Sequence, residues 1–218
     1  MTRSSLLETP LRPVLQGDRH HTVQQATVRR VESQIGPDVG HADSGAVGIA
    51  PRGAEGLGWY DGMTRSNVLE HTAAADGYEG LAALTEAAAE AVRADPASLL
   101  TRLQAEMPDP DLRVVADRGI RAMLLETYTE ALRTSAHGWI DDALAFCSPW
   151  GFDPALVTVP VLLWHGASDN FSPVSHARWL ADRIPRAAVV VQADAAHFGA
   201  LDVLPDILRW LSAEQRAA

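Results

Sequence analysis

The fold class is decided by the stretch Val159-Pro160-Val161-Leu162-Leu163-Trp164-His165-Gly166-Ala167-Ser168-Asp169. It opens with a continuous apolar run, residues 159–164, which is typical of a strand buried on both faces of a parallel sheet. A helical pattern follows, then a second apolar run at residues 187–191 and an amphipathic helix at residues 204–211. Strand, helix, strand and helix at this spacing predict parallel strands joined by right-handed crossovers, and therefore an α/β fold.

The rest of the chain divides into zones of different texture. Residues 1–45 are polar and irregular, and a helix over residues 22–33 is the regular element they suggest. A short buried strand is predicted at residues 46–50, where Pro51 ends it. The predicted organisation is a divergent segment at 1–45, a core made of 46–53 and 151–218, and a helical region at 54–150.

The charge of the chain excludes two classes of partner. It has 18 basic residues, all of them Arg, against 28 acidic ones, for a formal net charge of -10. Such a surface repels DNA and anionic membranes, so we expect neither nucleic acid nor membrane as a partner. A small-molecule substrate fits the composition better.

Composition also bears on location and on metals. The one cysteine, Cys147, excludes an internal disulfide, and the first 30 residues lack the apolar core of a secretory signal. These features predict a cytoplasmic protein. His20-His21 has no third ligand at metal spacing, so neither a metal nor another cofactor is predicted.

Two residues suited to acid–base chemistry follow the two predicted strands. Asp169 lies five residues after Trp164, and His197 lies six residues after Val191. Because reactive groups gather beyond the carboxyl ends of parallel strands, we expect the two side chains to meet at one edge of the sheet. An Asp that orients a His and stabilises its imidazolium forms two thirds of a nucleophile–His–acid triad. The alternative is a capping Asp and a structural His in unrelated loops.

Over residues 46–212 the sequence resembles the α/β-hydrolase family. Residues 159–185, with Asp169, are similar to the penultimate strand and helix of that family, and residues 138–153 resemble the end of the helical lid in one bacterial branch. The resemblance implies a partial α/β-hydrolase fold, with a short parallel sheet, flanking helices and a lid. It further implies Asp169 as triad acid, His197 as base, and hydrolysis of ester-like or other small apolar substrates.

One part of the family pattern is missing from the 218 residues. The nucleophile of the family lies in a G-x-S-x-G turn, and no such pentapeptide occurs. Ser44 lies at the amino end of its predicted strand, the wrong end for this chemistry, and Cys147 lacks a glycine turn and is interpreted as a small buried apolar residue. Three hypotheses stay open: an active hydrolase, a non-catalytic remnant that is truncated or frame-shifted at its start, and a small-molecule binding module.

The predicted sheet also has a consequence for association. About three parallel strands with an apolar edge leave backbone donors and acceptors open to another chain. We therefore expect self-association through that sheet edge.

Overall fold

The computed structural model describes residues 43–46 and 48–217, and the side chains of residues 48–212. The helix suggested at residues 22–33 lies outside the described residues. In chain order the elements are β1 (Asp43–Ala46), α1 (Arg65–Asp76), α2 (Tyr78–Ala94), α3 (Ser98–Gln104), α4 (Asp109–Val115), α5 (Arg118–Ala131), α6 (His137–Cys147), β2 (Val161–Gly166), α7 (Val174–Ala181), β3 (Ala187–Gln192) and α8 (Ala200–Ala217).

The strands form a parallel sheet in the order β1-β2-β3, which confirms the predicted α/β class. Trp164 in the central strand β2 lies opposite Ala46 on one side and Val190 on the other. Neighbouring residues of β2 face opposite ways, so Leu163 packs on Leu180 of α7 whereas Trp164 packs under α8. The alternation explains why the run is apolar throughout: both faces of β2 are covered.

The first strand does not lie where the sequence predicted it. It spans Asp43–Ala46 rather than residues 46–50. Residues 48–50 lie outside the sheet because their backbone groups form hydrogen bonds with distant side chains instead of with a neighbouring strand. The Ser172 hydroxyl donates to the Gly48 carbonyl, and the Ala50 N–H donates to the His176 ring. Apolar composition alone does not show that these groups have partners outside a sheet.

The six helices from α1 to α6, hereafter the helical region (residues 65–147), pack on one another and on the sheet loops. A cluster around Leu81, Val92 and Ile140 holds α1, α2 and α6 together. A second cluster joins Leu100 and Leu124 of the helical region to aromatic residues that follow β2 and β3. Among the described residues, no helix combines the length and hydropathy needed to cross a bilayer.

Strand β3 is the last strand of the described sheet. Its Val189 and Val190 side chains are 39% and 49% exposed, so apolar side chains lie near this edge of the sheet. Self-association through this edge stays a prediction.

Candidate active site

Asp169 lies in the loop after β2, where the backbone holds its carboxylate in place. Its Oδ1 accepts hydrogen bonds from the N–H groups of Phe171 and Ser172, each at 2.9 Å. The side chain is buried, so these bonds are shielded from competing water. Because both backbone hydrogen bonds go to Oδ1, Oδ2 is available to accept a hydrogen bond from another side chain.

That partner is His197, the other residue predicted from the sequence. His197 begins a short 3₁₀ turn (His197–Gly199) after β3, and its Nδ1 lies 3.1 Å from Oδ2 of Asp169. Because a carboxylate only accepts, Nδ1 carries the proton and Nε2 is left to accept one. The structure therefore brings the two predicted side chains together in the arrangement expected of an acid that orients a base.

The pKa values of the pair move in opposite directions. Burial tends to raise the pKa of Asp169, but the charge of His197 and the hydrogen bond from it outweigh burial and lower that pKa. Burial tends to lower the pKa of His197, but the charge of Asp169 and the same hydrogen bond prevail and raise it. Each group stabilises the charged form of the other, so an imidazolium at His197 is favoured during proton transfer.

A third acidic residue, Asp111, holds the loop that carries His197. Its Oδ2 accepts from the N–H of His197 at 3.2 Å and its Oδ1 from the N–H of Phe198 at 2.8 Å. Asp111 is fully buried, and burial raises the pKa of its carboxyl. The sequence analysis missed this residue, because an acid in the first turn of a helix ordinarily indicates a solvated charge at the positive end of the helix dipole.

Two further histidines beside the pair have structural partners. His165 places Nε2 at 2.5 Å from the Ser172 carbonyl oxygen and 3.5 Å from Oδ2 of Asp169, and burial lowers its pKa. In His176, Nδ1 accepts from the Ala50 N–H and Nε2 donates to the Trp59 carbonyl, while burial lowers the pKa to about 4. Neutral rings therefore fix the loops around the site.

A cavity of about 150 Å³ opens in front of His197. Most of its lining is apolar and comes from the helical region, including Leu99, Leu124, Tyr128 and Trp139, while Phe171 and Phe198 line it beside His197. An apolar cavity of this size has room for a group as large as a benzene ring. A small apolar molecule bound there would lie against His197.

Of the two nucleophile candidates, Cys147 makes its side-chain hydrogen bonds to residues other than His197. Ser44 lies in β1 opposite Leu162, and nothing is described of its side chain. Cys147 is half-buried rather than buried: its thiol donates to the His71 carbonyl, and burial raises its pKa, which disfavours the thiolate. Within the part of the chain that the structure describes, no group of three or more His, Cys, Asp or Glu is placed to hold a metal ion.

The loops that carry the acid and the base touch at Gly166. A Cβ at this position would lie 2.6 Å from backbone atoms of Ala195 and Ala196. We expect Gly166→Ala to lower the free energy of unfolding by about 1–3 kcal/mol, because backbone must move to admit the methyl group. Urea denaturation measures the change.

Gly80→Ala is the matched control, since Gly80 lies within α2 and nothing surrounds its absent Cβ. It should leave stability unchanged or raise it by up to about 1 kcal/mol. If the two substitutions changed the free energy of unfolding equally, the close approach of Ala195 and Ala196 to Gly166 would not make a Cβ there destabilising.

Comparison with known proteins finds similarity at the level of solved structures. No family model matches the chain, and no curated protein matches it. An esterase from Exiguobacterium antarcticum is 21% identical over 61% of this chain and 47% of its own, with a TM-score of 0.39. An esterase from Thermogutta terrifontis is 22% identical over 60% of this chain and 49% of its own, with a TM-score of 0.41.

A third match is an α/β-hydrolase enzyme from a deep-sea metagenome library of the Medee basin. It is 11% identical over 80% of this chain and 55% of its own, with a TM-score of 0.37. The chain thus spans about half the length of these solved structures. Two of these three solved structures are thus esterases and the third is an α/β-hydrolase enzyme.

Proposed function

We propose that this chain is a hydrolase of small, largely apolar ester-like substrates, with His197 as general base and Asp169 as the residue that orients it. The observation that supports the proposal is the buried Nδ1–Oδ2 hydrogen bond of 3.1 Å beside an apolar cavity. Because this hydrogen bond uses the proton on Nδ1, Nε2 of His197 is free to accept a proton. His197 also lines the cavity in which we propose that the substrate binds.

In the proposed reaction, Nε2 of His197 takes the proton of an attacking hydroxyl group while its oxygen bonds to the acyl carbon. The tetrahedral intermediate then breaks its bond to the leaving oxygen, which takes the proton back from Nε2. Asp169 stays ionised throughout and stabilises the transient imidazolium. When the hydroxyl belongs to water, this sequence completes the hydrolysis. When it belongs to a serine, the sequence leaves an acyl-enzyme, and a water molecule then attacks it with the same proton transfers through Nε2, releasing the acid and the free serine.

Turnover of 4-nitrophenyl butyrate tests the proposal directly. We expect saturable release of 4-nitrophenol above the buffer rate. His137→Ala, which replaces an exposed histidine at the start of α6, should not change it. Labelling by a fluorophosphonate would identify a serine as the attacking group, and turnover without labelling would identify water. Absence of turnover over a range of short acyl chains would sink the proposal.

A binding module is the second candidate. It is favoured by a cavity that joins an apolar lining to a few polar side chains, in a sequence without a G-x-S-x-G turn. A ligand that raises the melting temperature, with no ester turned over, would support this second function against the first.

A further inference from the structure

Asp111 brings a second acid to His197 from the helical region. It lies in the first turn of α4, which packs against the turn His197–Gly199, and its side chain is fully buried. Each of its two oxygens accepts a backbone N–H, from His197 at 3.2 Å and from Phe198 at 2.8 Å. Two such donors favour the ionised carboxyl over the protonated one. A buried negative charge therefore lies beside the proposed base.

The charge of this carboxylate acts on the ring as well as on the loop. Because little water screens buried groups, charges interact more strongly there than at an exposed surface. Burial lowers the pKa of His197, whereas the charge of Asp169, the hydrogen bond to it and the charge of Asp111 raise it. Burial raises the pKa of Asp111, and its backbone hydrogen bonds and the charge of His197 oppose that rise. The effect is therefore mutual.

The ionisable groups on the neighbouring elements are neutral or distributed around the cavity and the surface. His165 of β2 faces His197, but burial lowers the pKa of His165 and keeps its ring neutral. The cavity is also lined by Glu70, His71, Tyr128 and Asp142. The other charged side chains of α4, of α5 and of the first turn of α8 are exposed or half-buried, namely Asp109, Arg113, Arg118, Arg121, Glu126, Glu130 and Asp202. Within the described part of the chain, Asp169 and Asp111 are the two carboxyl groups whose charge acts on the base.

We propose that Asp111 is a positioning residue for the proposed base, whose buried carboxylate acts with that of Asp169 to stabilise the imidazolium of His197 during proton transfer. The inference rests on the proposed function, in which Nε2 of His197 takes a proton. The two acids act in different ways: Asp169 through the hydrogen bond at Nδ1, and Asp111 through its charge and through the backbone of His197. The base then depends on both a sheet loop and the helical region.

NMR titration of the His197 ring nitrogens tests the inference without any turnover. Asp111→Asn keeps the size of the side chain and removes its charge, and it should lower the measured pKa of His197 by roughly 0.5–1. Asp109→Asn removes an exposed acid from the same turn of α4 and should leave that pKa unchanged. An unchanged pKa of His197 in folded Asp111→Asn would overturn the proposal.

The reverse titration covers the case in which Asp111→Asn displaces the ring or does not fold. His197→Gln removes the imidazolium but keeps the backbone N–H that Asp111 accepts. Because the coupling between two sites is reciprocal, the pKa of Asp111, followed by ¹³C NMR of its carboxyl carbon, should rise in His197→Gln. A merely structural tie to the backbone predicts no change, and that result would contradict the proposal.

Ester kinetics separates this inference from the proposed function. In a protein that hydrolyses 4-nitrophenyl butyrate, Asp111→Asn should lower kcat about tenfold, leave KM unchanged and move the acidic limb of the pH profile to lower pH. Titrations that shift in a protein without ester turnover would refute the hydrolase and leave the coupling between Asp111 and His197 in place. Ester turnover with unmoved titrations would refute the role of Asp111 alone.

Discussion

Replacement of Asp169 by asparagine is expected to lower kcat for ester hydrolysis by roughly 10³- to 10⁴-fold while the protein stays folded. Asparagine has one acceptor oxygen where aspartate has two. The variant therefore loses either the acceptor for the N–H groups of Phe171 and Ser172 or the acceptor for His197. It also carries no charge to stabilise the imidazolium. Steady-state kinetics with 4-nitrophenyl butyrate measures the loss, and circular dichroism checks the fold.

The pH profile separates this role from a merely structural one. His197 must be neutral to accept a proton, so activity rises with pH through its pKa, which Asp169 raises above the ordinary value. In Asp169→Asn only the charge of Asp111 still opposes the burial that lowers this pKa, so the acidic limb of the residual activity should move to lower pH. The exposed Asp182 provides the control in Asp182→Asn, and an unmoved limb in Asp169→Asn would contradict the proposed role.

Asp111→Ala is expected to lower the free energy of unfolding by about 2–5 kcal/mol. It leaves the N–H groups of His197 and Phe198 buried without acceptors, and an unpaired buried donor costs about 1–3 kcal/mol. Asp111→Asn retains one acceptor and should cost less. Urea denaturation gives the values, and the ester assay shows whether His197 is displaced as well.

Asp117 offers a matched comparison for this effect. Its carboxylate also accepts from two backbone N–H groups, those of Gly119 and Ile120 at the start of α5, but it is exposed to solvent. Asp117→Ala should therefore cost only about 1 kcal/mol, since water can replace the lost acceptor. If Asp111→Ala and Asp117→Ala lowered the free energy of unfolding equally, burial would not be the reason why the hydrogen bonds of Asp111 stabilise the protein.

Sequence periodicity predicted strands β2 and β3 and the meeting of Asp169 with His197, because both depend on local patterns. A continuous apolar run indicates a buried strand. Because parallel strands end at the same edge of a sheet, the loops that follow them bring Asp169 and His197 together there. Beginning β2 at residue 161 rather than 159 fits the chemistry of Pro160, which has no N–H to donate to a neighbouring strand.

Features with distant partners could not be predicted in the same way. Asp111 is separated from His197 by 86 residues, and His176 from Ala50 by 126. Neither pairing produces a periodic pattern in the sequence. A helix-capping acid or a buried histidine occurs in the same local sequence whether or not it has a distant hydrogen-bond partner.

The two hydrogen bonds of Asp111 also constrain how molecules reach the cavity. They tie α4 to the backbone at His197 and Phe198, so a rigid swing of the whole helical region would break both bonds and displace the base. Helix α1 has a comparable tie to the other loop, because the Asn67 side chain donates to the Phe171 carbonyl at 2.7 Å. The loops after β2 and β3 are therefore each anchored to a different helix of the helical region, so movement of either helix would be felt at Asp169 or His197.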